Sequence, residues 1–432
     1  MTGIGVALGV FVVYALVAGQ LDQWSISAPI VLVAAGIVLG ESAMGVLHVS
    51  AGAESVKVIA ELTLALLLFA DASTIRVRLA GGDASLPGRL LGIGLPLTIA
   101  LGAVVAHSVL HVSWAEAALI ASILAPTDAA LGLAVVTNPA VPAKIRRALS
   151  IESGLNDGIA TPFVVFFLGV VVAEAAQQHW VLGGIKQIAL AVAFGVALGA
   201  LAGVCAARAR HAGWTTPLSE ALVVLSVALL SYEGAVAIHG NGFVSAFVAG
   251  MVFGTAARQE LHVATEMTED IGLFASFAVW LIFGAVFAGP VLSNGIHLRP
   301  VLFAVLSLTV VRMVPVALSL IGTRLRRDTV AFMGWFGPRG LASVVFTLLA
   351  FDELHGTSQA SGLVEVATWT ILLSVLAHGL TSGPLAALYA RRLAGGPPDS
   401  PELEEAPEAP ARRRSLHDRG RRPLAPVDAK AI

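Results

Sequence analysis

The chain has 432 residues, 57% of them hydrophobic and only 12% charged, with a mean hydropathy of +0.85. A soluble domain is nearer half apolar and a quarter charged, so there is too little charge here to cover the surfaces of a soluble protein this long. The net charge of −2 gives no basic field to attract nucleic acid, and one cysteine, Cys205, excludes an intramolecular disulfide, a zinc ribbon and a cysteine-ligated iron–sulfur cluster.

A helix that crosses a bilayer needs about 20 mostly apolar residues. In chain order the predicted spans are 4–20, 27–41, 54–71, 88–110, 114–136, 147–173, 185–207, 218–236, 241–255, 267–289, 298–321, 329–351 and 363–392. That is about thirteen, and some are short and glycine-rich enough that twelve or fourteen would also fit. The expected fold class is an all-α polytopic membrane protein. The first span has no basic flank and runs into a second apolar stretch, so it does not read as a signal peptide. With the N-terminus outside, 21 basic residues fall on the cytoplasmic side and only Lys57, Lys186 and Arg299 outside. This bias predicts an N-out, C-in topology. Residues 1–394 form the expected membrane domain. Residues 395–432 hold seven prolines, an acidic patch (Glu402, Glu404, Glu405, Glu408) and six arginines, and are expected to be a disordered cytoplasmic tail without a nucleotide-binding domain. Its arginines are expected to be solvated, with contact to anionic lipid heads as the sharper alternative.

Charge inside a membrane span is costly, so each instance is a functional candidate. The fifth span carries Ala125-Pro126-Thr127-Asp128, the sixth Glu152-Ser153-Gly154-Leu155-Asn156-Asp157, the twelfth Gly337-Pro338-Arg339-Gly340, and the eleventh Arg312. Pro126 and Pro338 each interrupt a helix, which a membrane tolerates only where the freed backbone groups are re-satisfied. The stretches after them resemble each other and lie an odd number of spans apart. They therefore predict an inverted repeat, two broken helices crossing at a midplane site. On the sixth span Glu152, Ser153, Asn156 and Asp157 occupy one arc of about 140°. These are hard oxygen ligands, suited to a small hard cation. Arg312 and Arg339 need partners, and Glu152 and Asp128 are the available ones. Glu152 with Arg312 is the first choice and Glu152 with Arg339 the second. Asp157 is then the carboxylate left to exchange a proton for a cation.

The runs APTDAALGLAVV, IESGLNDGIATPFVVFFLG and FGPRGLASVVF resemble monovalent cation:proton antiporters of the NhaP and sodium–proton exchanger kind, over about residues 4–392. The resemblance implies thirteen helices, two inverted repeats with crossing broken helices, and an ion-carrying core of about 88–173 and 298–392. It implies that Asp157 alternately binds cation and proton, that Ser153 and the Thr127 backbone are further cation ligands, and that Asn156 stands where electrogenic relatives carry a second aspartate. It also implies a structural pair Glu152–Arg312, with Asp128 and Arg339 compensating the ends of the broken helices. The implied function is electroneutral antiport of Na⁺ (K⁺ or Li⁺ as alternatives) against H⁺, by a homodimer in the plasma membrane, with no cofactor, no enzymatic activity and no nucleic-acid partner. The alternative is a sodium-coupled solute symporter of related broken-helix fold. Among the remaining polar groups, His107, His111, His239 and His378 are expected at span ends. Glu61 and Asp71 are expected to cap, pair or face a vestibule. Trp24, Trp114, Trp180 and Trp214 are expected in an interfacial belt, and Cys205 as an apolar filler.

Overall fold

The computed structural model describes residues 3–24, 26–74, 84–128, 131, 133–176, 181–257, 261–355, 357–395 and 400–404. Among them the structure is helical throughout. The elements are α1 (Gly3–Gln23), α2 (Ala28–Leu39), α3 (Glu54–Ser73), α4 (Ser85–Arg89) running through a π-turn into α5 (Leu95–Leu110), α6 (Trp114–Ile123), α7 (Leu133–Val136), α8 (Ala143–Ala176), α9 (Val181–His211), α10 (Pro217–Ala237) and α11 (Gly242–Ala256). There follow α12 (His262–Phe283), continued through a second π-turn into α13 (Gly289–Ser293), α14 (Leu298–Leu308), α15 (Val310–Ser319), α16 (Arg327–Trp335), α17 (Leu341–Glu353) and α18 (Ser358–Ala394). Eight of these segments are long and apolar enough to cross a membrane, and Ala28–Leu39, Trp114–Ile123 and Gly242–Ala256 are shorter apolar helices. Each of the thirteen predicted spans coincides with one helix or with a pair: α4/α5 and α12/α13 are joined through π-turns, α14 and α15 meet at Thr309, and α6/α7 and α16/α17 are the two broken at a proline.

Local sequence sets the starts. Ser113 accepts from the Glu116 amide at the head of α6, Asn241 from Val244 at the head of α11, and Thr357 from Ala360 at the head of α18. Thr216 and Ser219 form a reciprocal capping box on α10. Several helices overrun their apolar stretches. Hydropathy ends the seventh span near residue 207, yet α9 continues to His211, because Arg208 and Arg210 sit at a helix C-terminus where the macrodipole favours positive charge.

Packing is inverted relative to a soluble protein. Large apolar side chains on α1 and α9 are exposed, including Ile4, Leu16, Leu182 and Leu201, as a lipid-facing surface requires. The interior cluster runs from Leu64 and Leu68 of α3 through Ile120, Leu155, Phe243 and Phe283 to Phe346 and Leu363. A second cluster, with Val141, Ile145, Leu149, Phe332 and Tyr389, closes the end at which α8 and α16 begin and α18 ends. The two broken helices lie between these clusters.

Three expectations change. Of the 395–432 tail, residues 400–404 are packed: Pro401–Leu403 is a 3-10 turn whose fully buried Glu402 accepts from the Arg326 amide at 2.7 Å and the Thr329 hydroxyl at 2.9 Å. Glu404 pairs with Lys144 at 2.6 Å. These contacts explain why a proline-rich, acidic stretch is held: it supplies acceptors to the start of α16. Glu405, Glu408 and the arginines beyond lie outside the described residues, as do Arg76, Arg78, Arg258 and Trp180. Cys205 is exposed on α9 rather than filling the interior. His378 lies inside α18 and is 1% exposed, so it is no interfacial residue. Of the others, Trp24, Trp114 and Trp214 are exposed, Asp71 is buried, and Glu61 hydrogen-bonds Tyr232 across α3 and α10.

Candidate cation site at the crossing of two broken helices

Each broken helix leaves backbone groups that water cannot reach, and side chains of the other one satisfy them. Past the end of α6 the Ala125 carbonyl accepts from Arg339 Nη1 at 3.1 Å, while Nη2 donates to the Ser307 carbonyl at 3.2 Å. The Ile123 carbonyl accepts from Ser343 Oγ at 2.8 Å. In the opposite sense, the Asp128 amide donates to the Pro338 carbonyl at 2.8 Å, and Asp128 Oδ2 lies 3.4 Å from the Leu341 amide that opens α17. A positive group thus stands at a helix C-terminus and a negative group at a helix N-terminus, the signs that the peptide dipoles favour.

The glycines of Gly337-Pro338-Arg339-Gly340 permit this approach. A Cβ on Gly340 would lie 2.0 Å from Asp128 Cβ, and one on Gly337 would lie 2.3 Å from Arg312 Nε. The two chains therefore meet at a distance that only glycine allows.

α8 passes beside the crossing. Arg312 binds Glu152 through two parallel bonds, Nη1 to Oε1 at 2.6 Å and Nη2 to Oε2 at 2.9 Å, with both side chains 2% exposed. One turn on, Asn156 Nδ2 donates to Thr127 Oγ1 at 2.6 Å, and Thr127 Oγ1 lies 3.2 Å from Ser153 Oγ. Thr127 accepts from the amide, so its own hydrogen is available to Ser153. The Asn156 Oδ1 oxygen is buried and has no hydrogen-bond partner among the described residues. Asp157 follows on the same arc, partly exposed, and its backbone carbonyl accepts from Thr161. The result is a group of neutral oxygens from Thr127, Ser153 and Asn156, with Asp157 following Asn156 on α8 and the buried Glu152–Arg312 pair one residue before Ser153. Such a set can replace part of the hydration shell of a small cation while supplying a single negative charge.

All eight residues singled out from the sequence thus lie at or beside one crossing. Sequence reasoning passed over Ser307, Ser343 and Ser374, and put His378 at a span end. The first two meet freed groups at α6 or Arg339. Ser374 Oγ accepts from the Arg339 amide at 2.7 Å, and His378 Nε2 lies 2.8 Å from the Trp335 carbonyl. The available signal was three polar residues, Ser374, His378 and Ser382, spaced four apart on one face of the span.

Comparison with known proteins agrees in fold. The sodium proton antiporter MjNhaP1 from Methanocaldococcus jannaschii at pH 8 superposes with a TM-score of 0.73 at 20% identity, covering 90% of this chain and 98% of that one. The K⁺/H⁺ antiporter NhaP of Alkalimonas amylolytica is 25% identical over 389 residues, 88% of this chain and 65% of the relative. NhaP2 of Shewanella sp. (strain MR-4), a K⁺/H⁺ antiporter, is 25% identical over 363 residues. The chain spans 65% and 61% of the length of these two relatives. The Na⁺/H⁺ antiporter of Schizosaccharomyces pombe (strain 972) is 26% identical over 310 residues. The family model described as sodium/hydrogen exchanger, transmembrane, matches residues 7–388, most of the chain, and the chain therefore belongs to the sodium/hydrogen exchanger family.

Proposed function

We propose that this chain is a secondary antiporter that exchanges one monovalent cation for one proton by alternating access, with Na⁺ as the first candidate and K⁺ or Li⁺ as alternatives. The observation that carries the reading is the oxygen group of Thr127, Ser153 and Asn156 beside Asp157, at the crossing of two broken helices. Asp157 takes a proton or a cation in turn. Thr127, Ser153 and Asn156 act as neutral ligands or orient it. Glu152 is held bidentately by Arg312, and Asp128 serves the end of α17, so one exchanging carboxylate remains. One unit of charge then moves in each direction, and the cycle is electroneutral. The relatives named above support antiport. Their names divide between K⁺ and Na⁺, and the symporter alternative gains nothing from them. The working form in this reading is a homodimer in the plasma membrane, N-out and C-in, with a core of about 88–173 and 298–392 moving against the other helices. The test is proton flux in everted vesicles on addition of Na⁺ or K⁺. Asp157→Asn should insert and fold, yet give no cation-dependent flux. Near-normal exchange in that variant would refute the mechanism.

A further inference from the structure

The break in α16/α17 is bracketed from α18. At its start, the Trp335 carbonyl, in the last turn of α16, lies 2.8 Å from His378 Nε2. A neutral imidazole carries one ring hydrogen; placed on Nε2 it is donated to the Trp335 carbonyl, which leaves Nδ1 to accept from the Ser374 hydroxyl. At its end, the Arg339 amide donates to Ser374 Oγ at 2.7 Å. Ser374 is one turn before His378, and its hydroxyl lies 3.2 Å from His378 Nδ1, which also lies 2.9 Å from the Ser374 carbonyl. The Trp335 ring stacks on the imidazole with centroids 5.1 Å apart, and its Nε1 donates to Thr381 Oγ1 at 3.0 Å. One face of α18 thus holds both the first carbonyl and the last amide of residues 335–339. Between those two anchors lies Pro338, whose carbonyl accepts from the Asp128 amide, and Asp128 adjoins Thr127. An unbroken line of contacts therefore runs from α18 through the second break to the oxygens of Thr127, Ser153 and Asn156.

We propose that His378 and Ser374 are positioning residues for cation binding: they fix the height of the Trp335–Arg339 segment and, through the Pro338–Asp128 contact, the placement of Thr127 against α8. Neither touches the cation. This rests on Thr127 lying at the cation site. Loss of either anchor lets the break settle elsewhere, and misplacing a ligand by about 1 Å costs up to about 100-fold. The effect falls on cation affinity rather than on turnover of the loaded protein.

The experiment reconstitutes His378→Ala, His378→Gln, Ser374→Ala and, as control, Thr370→Val in liposomes. Thr370 lies on the same helix and, among the described residues, its hydroxyl donates to the Val366 carbonyl within that helix. Apparent KM for Na⁺ and for K⁺, Vmax per folded protein, and amide exchange over residues 335–341 are measured. His378→Ala and Ser374→Ala should raise KM at least about tenfold with Vmax within about threefold, and should speed exchange at 335–341. His378→Gln keeps an N–H at similar reach and should return KM to within about threefold. Thr370→Val should behave as the parent. Unchanged KM in both alanine variants, an equal rise in Thr370→Val, or no rescue by glutamine overturns the proposal. If His378→Ala is not recovered folded, Ser374→Ala and His378→Gln decide by the same thresholds. Asp157→Asn, run alongside, separates the readings. Exchange retained there removes the cation-site assignment, whereas exchange lost there with normal KM in Ser374→Ala removes only this proposal.

Discussion

Replacing Glu152 by alanine leaves the Arg312 guanidinium buried without its carboxylate. In the intact protein that pair makes bonds of 2.6 and 2.9 Å, with both side chains 2% exposed. Removing one member of such a pair costs about 3–5 kcal/mol, because the other charge stays buried and uncompensated. A net stability of about 5–15 kcal/mol loses a large fraction, and the folded-to-unfolded ratio falls roughly 100- to 4,000-fold. Ser153→Ala, which removes only the hydroxyl facing Thr127, should cost about 0.5–1.5 kcal/mol. Glu152→Leu combined with Arg312→Met removes both charges and should recover most of the loss. Survival of monodisperse protein after stepwise heating, followed by fluorescence-detected size exclusion, ranks the three variants against the parent. The reasoning fails if Glu152→Ala survives as well as Ser153→Ala, or if the double variant is no better than the worse single one.

Gly340→Ala drives a Cβ to within 2.0 Å of Asp128 Cβ, whereas Gly362→Ala on α18 meets nothing within 4 Å. Exchange per folded protein in vesicles should collapse in the first and stay at the parent level in the second, and equal activities would show that the breaks need no such approach. On solid-supported membranes a Na⁺ or K⁺ jump should give a brief binding transient and no sustained current, and a clamped potential should leave the exchange rate unchanged. A sustained, cation-dependent current would mean that a second carboxylate, Glu152 or Asp128, takes part.

The span pattern was legible because the bilayer imposes a length and an apolar composition on each helix, and both are local properties of the sequence. The breaks were legible for a related reason, since Pro126 and Pro338 each remove a donor and a polar residue follows directly. Helix ends were less so. α9 reaches His211 because charge at a C-terminus is favourable, which a hydropathy reading counts as the end of the span. The pairing of Arg312 needed the fold: Glu152 is 160 residues away, and Arg339 was an equally charged competitor. His378 was misplaced because a histidine among Ser374, Thr381 and Ser382 looks like a span edge. Its real partner, the Trp335 carbonyl, carries no sequence signature at all. The docked turn at Glu402 was hidden for the same reason, since what holds it is the open start of α16.

These misses have one physical origin. In a low-dielectric interior, a backbone carbonyl or amide freed by a proline needs a partner just as a charged side chain does, though at a smaller cost, and it leaves no mark in the residue type. The polar residues around the crossing divide accordingly. Arg339 serves Ala125 and Ser307, Asp128 serves Leu341, Ser343 serves Ile123, and Ser374 and His378 serve Arg339 and Trp335. Most intramembrane polarity in this region is thus engaged in holding two discontinuous helices at one height. The rest, on one arc of α8 and on Thr127, comprises the Glu152 carboxylate held by Arg312, the neutral oxygens of Thr127, Ser153 and Asn156, and the partly exposed Asp157 carboxylate. A transport site in this fold is then best sought by first assigning each polar side chain to the backbone group it satisfies, and reading chemistry from the remainder.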